Sequence, residues 1–207
     1  MSFFKRQTAD LNQLFQGGIH WQIVGLLFVI CISFAIFGDA GRDMFQYDRL
    51  RIENGEYWRL ITGHFVHLGT MHLALNMVGL VLVWLLVGRY FSRQQWLIVI
   101  LSTIAMTSAG FWFFDTHMFW YVGLSGGLHG LLVAGAIKGY RTLPSESVII
   151  IAIVIGKLAW EQFFGPLPGS ESVSSGPVVI NAHLFGAIGG VLAVVVLGRS
   201  VPADPSI

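Results

Sequence analysis

Charge is scarce in this chain: Lys, Arg, Asp and Glu make up 11% of 207 residues, and the formal net charge is +1. No basic run is present that could follow a phosphate backbone, so nucleic acid is not an expected partner. Only one cysteine occurs, Cys31, inside an apolar run. No internal disulfide can form, and the thiol's expected role is packing within the membrane. Strand-length segments of alternating apolar and polar residues are missing, which argues against a membrane barrel. What the chain has in abundance is apolar surface. Hydrophobic residues reach 55% and the mean hydropathy is positive, too apolar for an ordinary soluble domain.

An integral membrane protein is therefore expected, all-α and organised as one domain over residues 1–207. A helix needs roughly 20 apolar residues to cross a bilayer. Six stretches qualify: 19–37, 68–87, 95–114, 125–140, 148–164 and 180–197. The fourth is short, and its glycines imply protein around it rather than lipid. Lys5 and Arg6 precede the first span and Gly38-Asp39-Ala40 resembles a cleavage site, but the apolar run is longer than a signal peptide needs, so it is expected to be retained.

Orientation follows from Lys5 and Arg6, Arg89 and Arg93, Lys138 and Arg141, and Arg199, which put both termini on the cytoplasmic side. The loops 115–124 and 165–179 contain no Lys or Arg, as the opposite side requires. The first loop is the exception, with Arg42, Arg49, Arg51 and Arg59 among five carboxylates.

Spans two, four and six then run inward from the outer face. Their first turns share one leaflet, which sets His72, Asn76, Ser125 and His183 at similar depth. Polar groups there are costly unless paired or used. A serine hydroxyl becomes a nucleophile when a base within reach takes its proton, and histidine titrates in the right range. His183 is the candidate base. His72 and Asn76, four apart on one helical face, can donate to the oxyanion of a tetrahedral intermediate, as can the Ser125 amide at its helix start. No carboxylate is expected at this depth, so the reading is a dyad. Asp115, in the loop before span four, is a weaker third member.

These residues carry a resemblance. Tyr57-Trp58-Arg59, His72-x-x-x-Asn76, Gly123-Leu124-Ser125-Gly126 and the Ala182-His183-x-x-Gly186-x-x-x-Gly190 run, in that order with the last three on spans two, four and six, resemble the rhomboid intramembrane serine proteases. The resemblance implies a six-helix rhomboid bundle with Ser125 as nucleophile and His183 as base. His72, Asn76 and the Ser125 amide would form the oxyanion hole. It implies no cofactor and no metal, and makes Trp58, Arg59 and His67 structural. The segment Gly123-Leu-Ser-Gly126-Gly-Leu-His129-Gly is closer to the rhombosortases, because His129 replaces an aromatic residue common one turn after the serine. That subfamily implies a bacterial inner-membrane protein with its active site toward the periplasm, in contact with lipid. Its substrates would be membrane-anchored proteins with a C-terminal Gly-Gly-containing tail, cleaved by water or with acyl transfer to an amine.

Several readings stay open beside this one. His129 lies four residues from Ser125 and could itself be the base, or could stack beside the pair or contact substrate, as could Gly123 and Gly126. Lys157 and Glu161, also four apart, read as a structural ion pair. Trp84, Trp96, Trp112, Trp120 and Trp160 read as interfacial anchors. A metal held by His64, His67, His72 and His183 is one alternative function. A general rhomboid protease of other single-span substrates is a second, and a non-proteolytic binder of membrane helices a third.

Overall fold

In lipid, a backbone must satisfy its own hydrogen bonds, and apolar runs free of internal proline do so as helices. The computed structural model of the protein describes residues 18–199. Its long helices are α1 (Gly18–Ile36), α5 (Thr70–Val87), α6 (Arg93–Phe113), α7 (Ser125–Gly139), α8 (Pro144–Phe164) and α10 (Ile180–Arg199). Pro144 sits at the first position of α8, where the missing N–H costs nothing. A capping box between Ser92 and Gln95 starts α6 two residues before the expected boundary.

Six long helices occupy the six expected stretches. Among the described residues, four of them are by themselves long and apolar enough to cross a membrane, or five if a bent pair counts as one span. That pair is α1 with α2 (Gly38–Phe45), turned by 112° at Gly38, whose φ of +57° favours glycine. The remaining expected span is α7. Its 15 residues rise about 22 Å, short of the roughly 30 Å hydrocarbon core. It lies inside the bundle, as its glycines imply, with all five of them buried. Lys5 and Arg6, on which part of the expected orientation rests, lie outside the described residues.

The long first loop folds as α2, the short strand β1 (Tyr47–Asp48), α3 (Arg49–Glu53) and α4 (Arg59–Thr62). Its charges are largely consumed by its own fold. Arg42 pairs with Asp39, Arg51 with Asp43 and Asp48, and Arg59 with Glu56. Buried Arg59 also donates to the carbonyls of Asp43 and Gln46, which knits the loop together. Trp58, expected to be structural beside it, is exposed. Arg49 reaches across to the carbonyls of Phe111, Trp112, Asp115 and Met118. β1 pairs antiparallel with β2 (Trp120–Tyr121), register Tyr47 to Tyr121. The loop is thereby fastened to the segment that leads into α7.

The tightest helix contact runs between α7 and α10. A Cβ on Gly186 would collide with the carbonyl of Gly126, and one on Gly190 with that of Gly130. Only glycine permits this approach, as in other small-residue seams. On the other flank of α10, Ser102 Oγ in α6 donates to the Gly189 carbonyl at 2.8 Å. Trp84 and Trp96 are not interfacial: both are buried, with ring centroids 4.8 Å apart, and Trp96 Nε1 donates to the Gly88 carbonyl. Trp120 and Trp160 remain exposed, as anchors would be.

Candidate active site

The serine, its neighbouring candidate histidine base and His72 each sit near a helix start. Ser125 is the first residue of α7, His72 the third of α5 and His183 the fourth of α10. Ser125 Oγ and His183 Nε2 are 3.0 Å apart, within hydrogen-bond reach for proton transfer. Both line a cavity of about 260 Å³ together with His72, Asn76, His129, Lys157 and Glu161.

The tautomer of His72 follows from its backbone partner. The Leu68 N–H donates to His72 Nδ1 at 3.3 Å, so His72 carries its proton on Nε2. That nitrogen faces Gly123: a Cβ built there would lie 3.0 Å from His72 Nε2 and 4.0 Å from Asn76 Nδ2. Gly123, at φ +124°, adopts a backbone that L side chains rarely take, and leaves the space between these donors and Ser125 open. Asn76 Nδ2 spends one hydrogen on the His72 carbonyl at 3.0 Å, which aims the amide and leaves its second hydrogen free. With the Ser125 N–H, which has no partner within its own helix, two side-chain donors and one backbone donor belong to residues that line the same cavity as the hydroxyl.

His129 donates from Nδ1 to the Ser125 carbonyl at 2.7 Å. Its ring lies flat against His183, centroids 4.2 Å apart and 23° from parallel. It is a stacking neighbour, held away from the Ser125 hydroxyl by its own hydrogen bond. Gly126 packs against the Ala182 carbonyl, 2.8 Å from a built Cβ, which brings the starts of α7 and α10 together.

The expected absence of a carboxylate at this depth is overturned. Glu161, buried near the end of α8, places its two oxygens 2.9 and 3.1 Å from His183 Nδ1. Lys157 and Glu161 do pair, at 2.6 Å, but the same carboxylate faces the imidazole. Asp115 takes no part here; it accepts from Asn181 Nδ2 at 2.6 Å.

His67 is buried with its ring 5.1 Å from that of His72, and burial, then the neighbouring His72, hold its imidazole down to about 3. His64 bonds Ser108 at 3.0 Å, and burial holds it down to about 4. The four histidines do not gather at one point: among the described residues no three His, Cys, Asp or Glu side chains are grouped to hold a metal.

Comparison with known proteins points the same way as the motifs. The Rhomboid domain family matches residues 54–200. The chain is similar to the rhomboid protease GluP of Bacillus subtilis (strain 168), 29% identical over 154 residues that cover 71% of this chain and 27% of that protein. It is also similar to the putative rhomboid protease YdcA of the same organism, at 25% identity over 73% of this chain and 72% of that one. The matched region thus spans about a quarter of GluP and most of YdcA.

Proposed function

Because the chain belongs to the rhomboid family, we propose that it is an intramembrane serine protease whose nucleophile is Ser125 and whose base is His183. The observation that carries this reading is the 3.0 Å contact between Ser125 Oγ and His183 Nε2 at the wall of a cavity. In the reaction, Ser125 Oγ bonds to the acyl carbon as its proton passes to His183 Nε2. The oxyanion meets the His72 Nε2–H, the free Asn76 hydrogen and the Ser125 N–H. Collapse breaks the C–N bond, the imidazolium proton goes to the leaving amine, and an acyl ester remains on Ser125. Water, deprotonated by the same nitrogen, hydrolyses that ester and restores the hydroxyl.

The substrate class we propose is a membrane-anchored bacterial protein with a Gly-Gly-containing C-terminal tail, cut on the periplasmic side of the inner membrane. One feature supports it. The Gly123 to Gly130 segment carries His129 where an aromatic residue is common in the wider family, and that histidine covers one face of His183. The whole chain, residues 1–207, acts in this reading as one membrane domain with both termini cytoplasmic.

The test is co-expression with single-span substrates that carry or lack a Gly-Gly tail, with mass spectrometry of the released product. Cleavage beside the glycines, dependent on Ser125, is expected. Cleavage of tail-less substrates alone would leave a general rhomboid protease, and tight association with no cleavage would favour a binder. The product mass also separates a free carboxylate from an amide, and hence water from an amine as acceptor.

Asn76→Ala is expected to lower kcat by about 10²-fold with little change in KM, since one oxyanion donor is lost and two remain. Steady-state cleavage in detergent checks this, and an unchanged kcat would remove Asn76 from the oxyanion hole.

A further inference from the structure

Lys157 and Glu161 are charged groups that the proton transfer above does not use, yet they sit against its base. Glu161 is 2% exposed and presents both carboxylate oxygens to His183 Nδ1. Such a buried charge is costly to keep in an apolar bundle unless it is paired. Lys157 meets that need through its 2.6 Å contact with Oε1. It also lies 3.2 Å from His183 Nδ1, and so competes with the carboxylate for the same nitrogen.

The two partners favour opposite tautomers. A carboxylate only accepts and an ammonium only donates. Bonded to Glu161, His183 carries its proton on Nδ1 and turns a lone pair from Nε2 toward Ser125. Bonded to Lys157, Nδ1 would be the acceptor and the proton would sit on Nε2, where it blocks uptake of the serine proton. The carboxylate is the nearer partner, at 2.9 Å, and it engages the ammonium as well.

We propose that Glu161 is the positioning residue for His183, fixing its tautomer and ring orientation and stabilising the imidazolium, with Lys157 as the charge that lets the carboxylate remain ionised in the bundle. The machinery is then Ser125, His183 and Glu161 from three helices rather than a pair from two. This rests on the reading of Ser125 and His183 as nucleophile and base. The other titratable groups lining the cavity with His183 are His129, stacked on it from α7, His72 on α5 and Tyr121 in β2. Among the described residues only Lys157 and Glu161 hydrogen-bond to Nδ1.

The test uses the full chain in detergent micelles, with a fluorophosphonate probe to read serine activation and a Gly-Gly-tailed single-span fusion to read turnover. In Glu161→Gln the ammonium of Lys157 takes the amide oxygen, and the amide NH₂ faces Nδ1, which selects the wrong tautomer. Labelling rate and kcat are expected to fall together by about 10²–10⁴-fold with KM little changed, and Glu161→Asp should restore part of the loss. Independently of any Glu161 variant, nitrogen-15 NMR of labelled histidine should show a low-field Nδ1–H in the wild type that disappears in His183→Ala.

Should Glu161→Gln fail to fold, Lys157→Met with Glu161→Met removes both charges at similar volume and is expected to show the same loss. Activity within about threefold of wild type in either folded variant overturns the proposal. So does a wild-type His183 protonated on Nε2 alone. If Ser125→Ala and His183→Ala are active as well, the failure lies with the protease reading; if they are dead while Glu161→Gln is active, it lies with Glu161 alone.

Discussion

Ser125→Ala and His183→Ala are each expected to abolish processing, with losses on the order of 10⁴–10⁶-fold in kcat. The two groups act as a unit, so the double variant should be no worse than either single one. A serine without a base is a poor nucleophile at neutral pH, and a base without the serine has no proton to take. The 3.0 Å contact is what couples them. Among the described residues no other imidazole is placed to substitute: His129 is spent on the Ser125 carbonyl, and Nδ1 of His72 on the Leu68 amide. Ser125→Ala should keep its stability within about 1 kcal/mol of wild type, because Ser125 is partly exposed and its hydroxyl contributes one modest hydrogen bond. His183→Ala is the more demanding case, since it also removes a partner of Glu161. Immunoblotting of the substrate in cells and fluorophosphonate labelling of purified protein measure turnover and serine activation separately. Processing that persists in His183→Ala but stops in a His129 variant would exchange the bases.

Much of this site is legible in the chain's topology. Helices that alternate in direction bring the first turns of every second span to one level, so the sequence suffices to group His72, Asn76, Ser125 and His183. Glu161 belongs to the same level for a related reason. The last turns of the odd spans end there too, and Glu161 stands three residues before the end of α8 at Phe164. Its i,i+4 spacing with Lys157 hides it, because a plausible local partner removes the need to look across to another helix. Other features depend on contacts between segments far apart in the chain, which periodicity does not encode. Trp84 and Trp96 lie near helix ends as belt residues do, yet pack against each other, with planes tilted by 37°, inside the core. The 112° turn at Gly38 likewise comes from packing rather than from composition, whereas the enclosed position of α7 is legible in its short length and its glycines.

Gly186→Val is expected to inactivate the enzyme without touching any polar group. The collision of a Gly186 side chain would be with the Gly126 carbonyl, a fixed backbone atom. Since neither backbone can yield locally, α7 and α10 must separate. Gly126 follows Ser125 directly, and Gly186 is three residues from His183, so a shift there is transmitted almost undiminished to the reacting pair. A displacement of about 1 Å is enough to cost on the order of 10²-fold in rate, and overpacking of this kind typically costs about 1–3 kcal/mol in stability. Activity should therefore fall while the protein remains folded, visible as lost fluorophosphonate labelling beside a modestly lowered melting temperature. Gly25→Ala is the matched control: nothing lies within 4 Å of a Cβ at that position, and a helical alanine there should leave activity unchanged and stability equal or slightly higher. Wild-type cleavage by Gly186→Val would mean that the two helices can part without separating the serine from its base, and that the glycine seam does not set their distance.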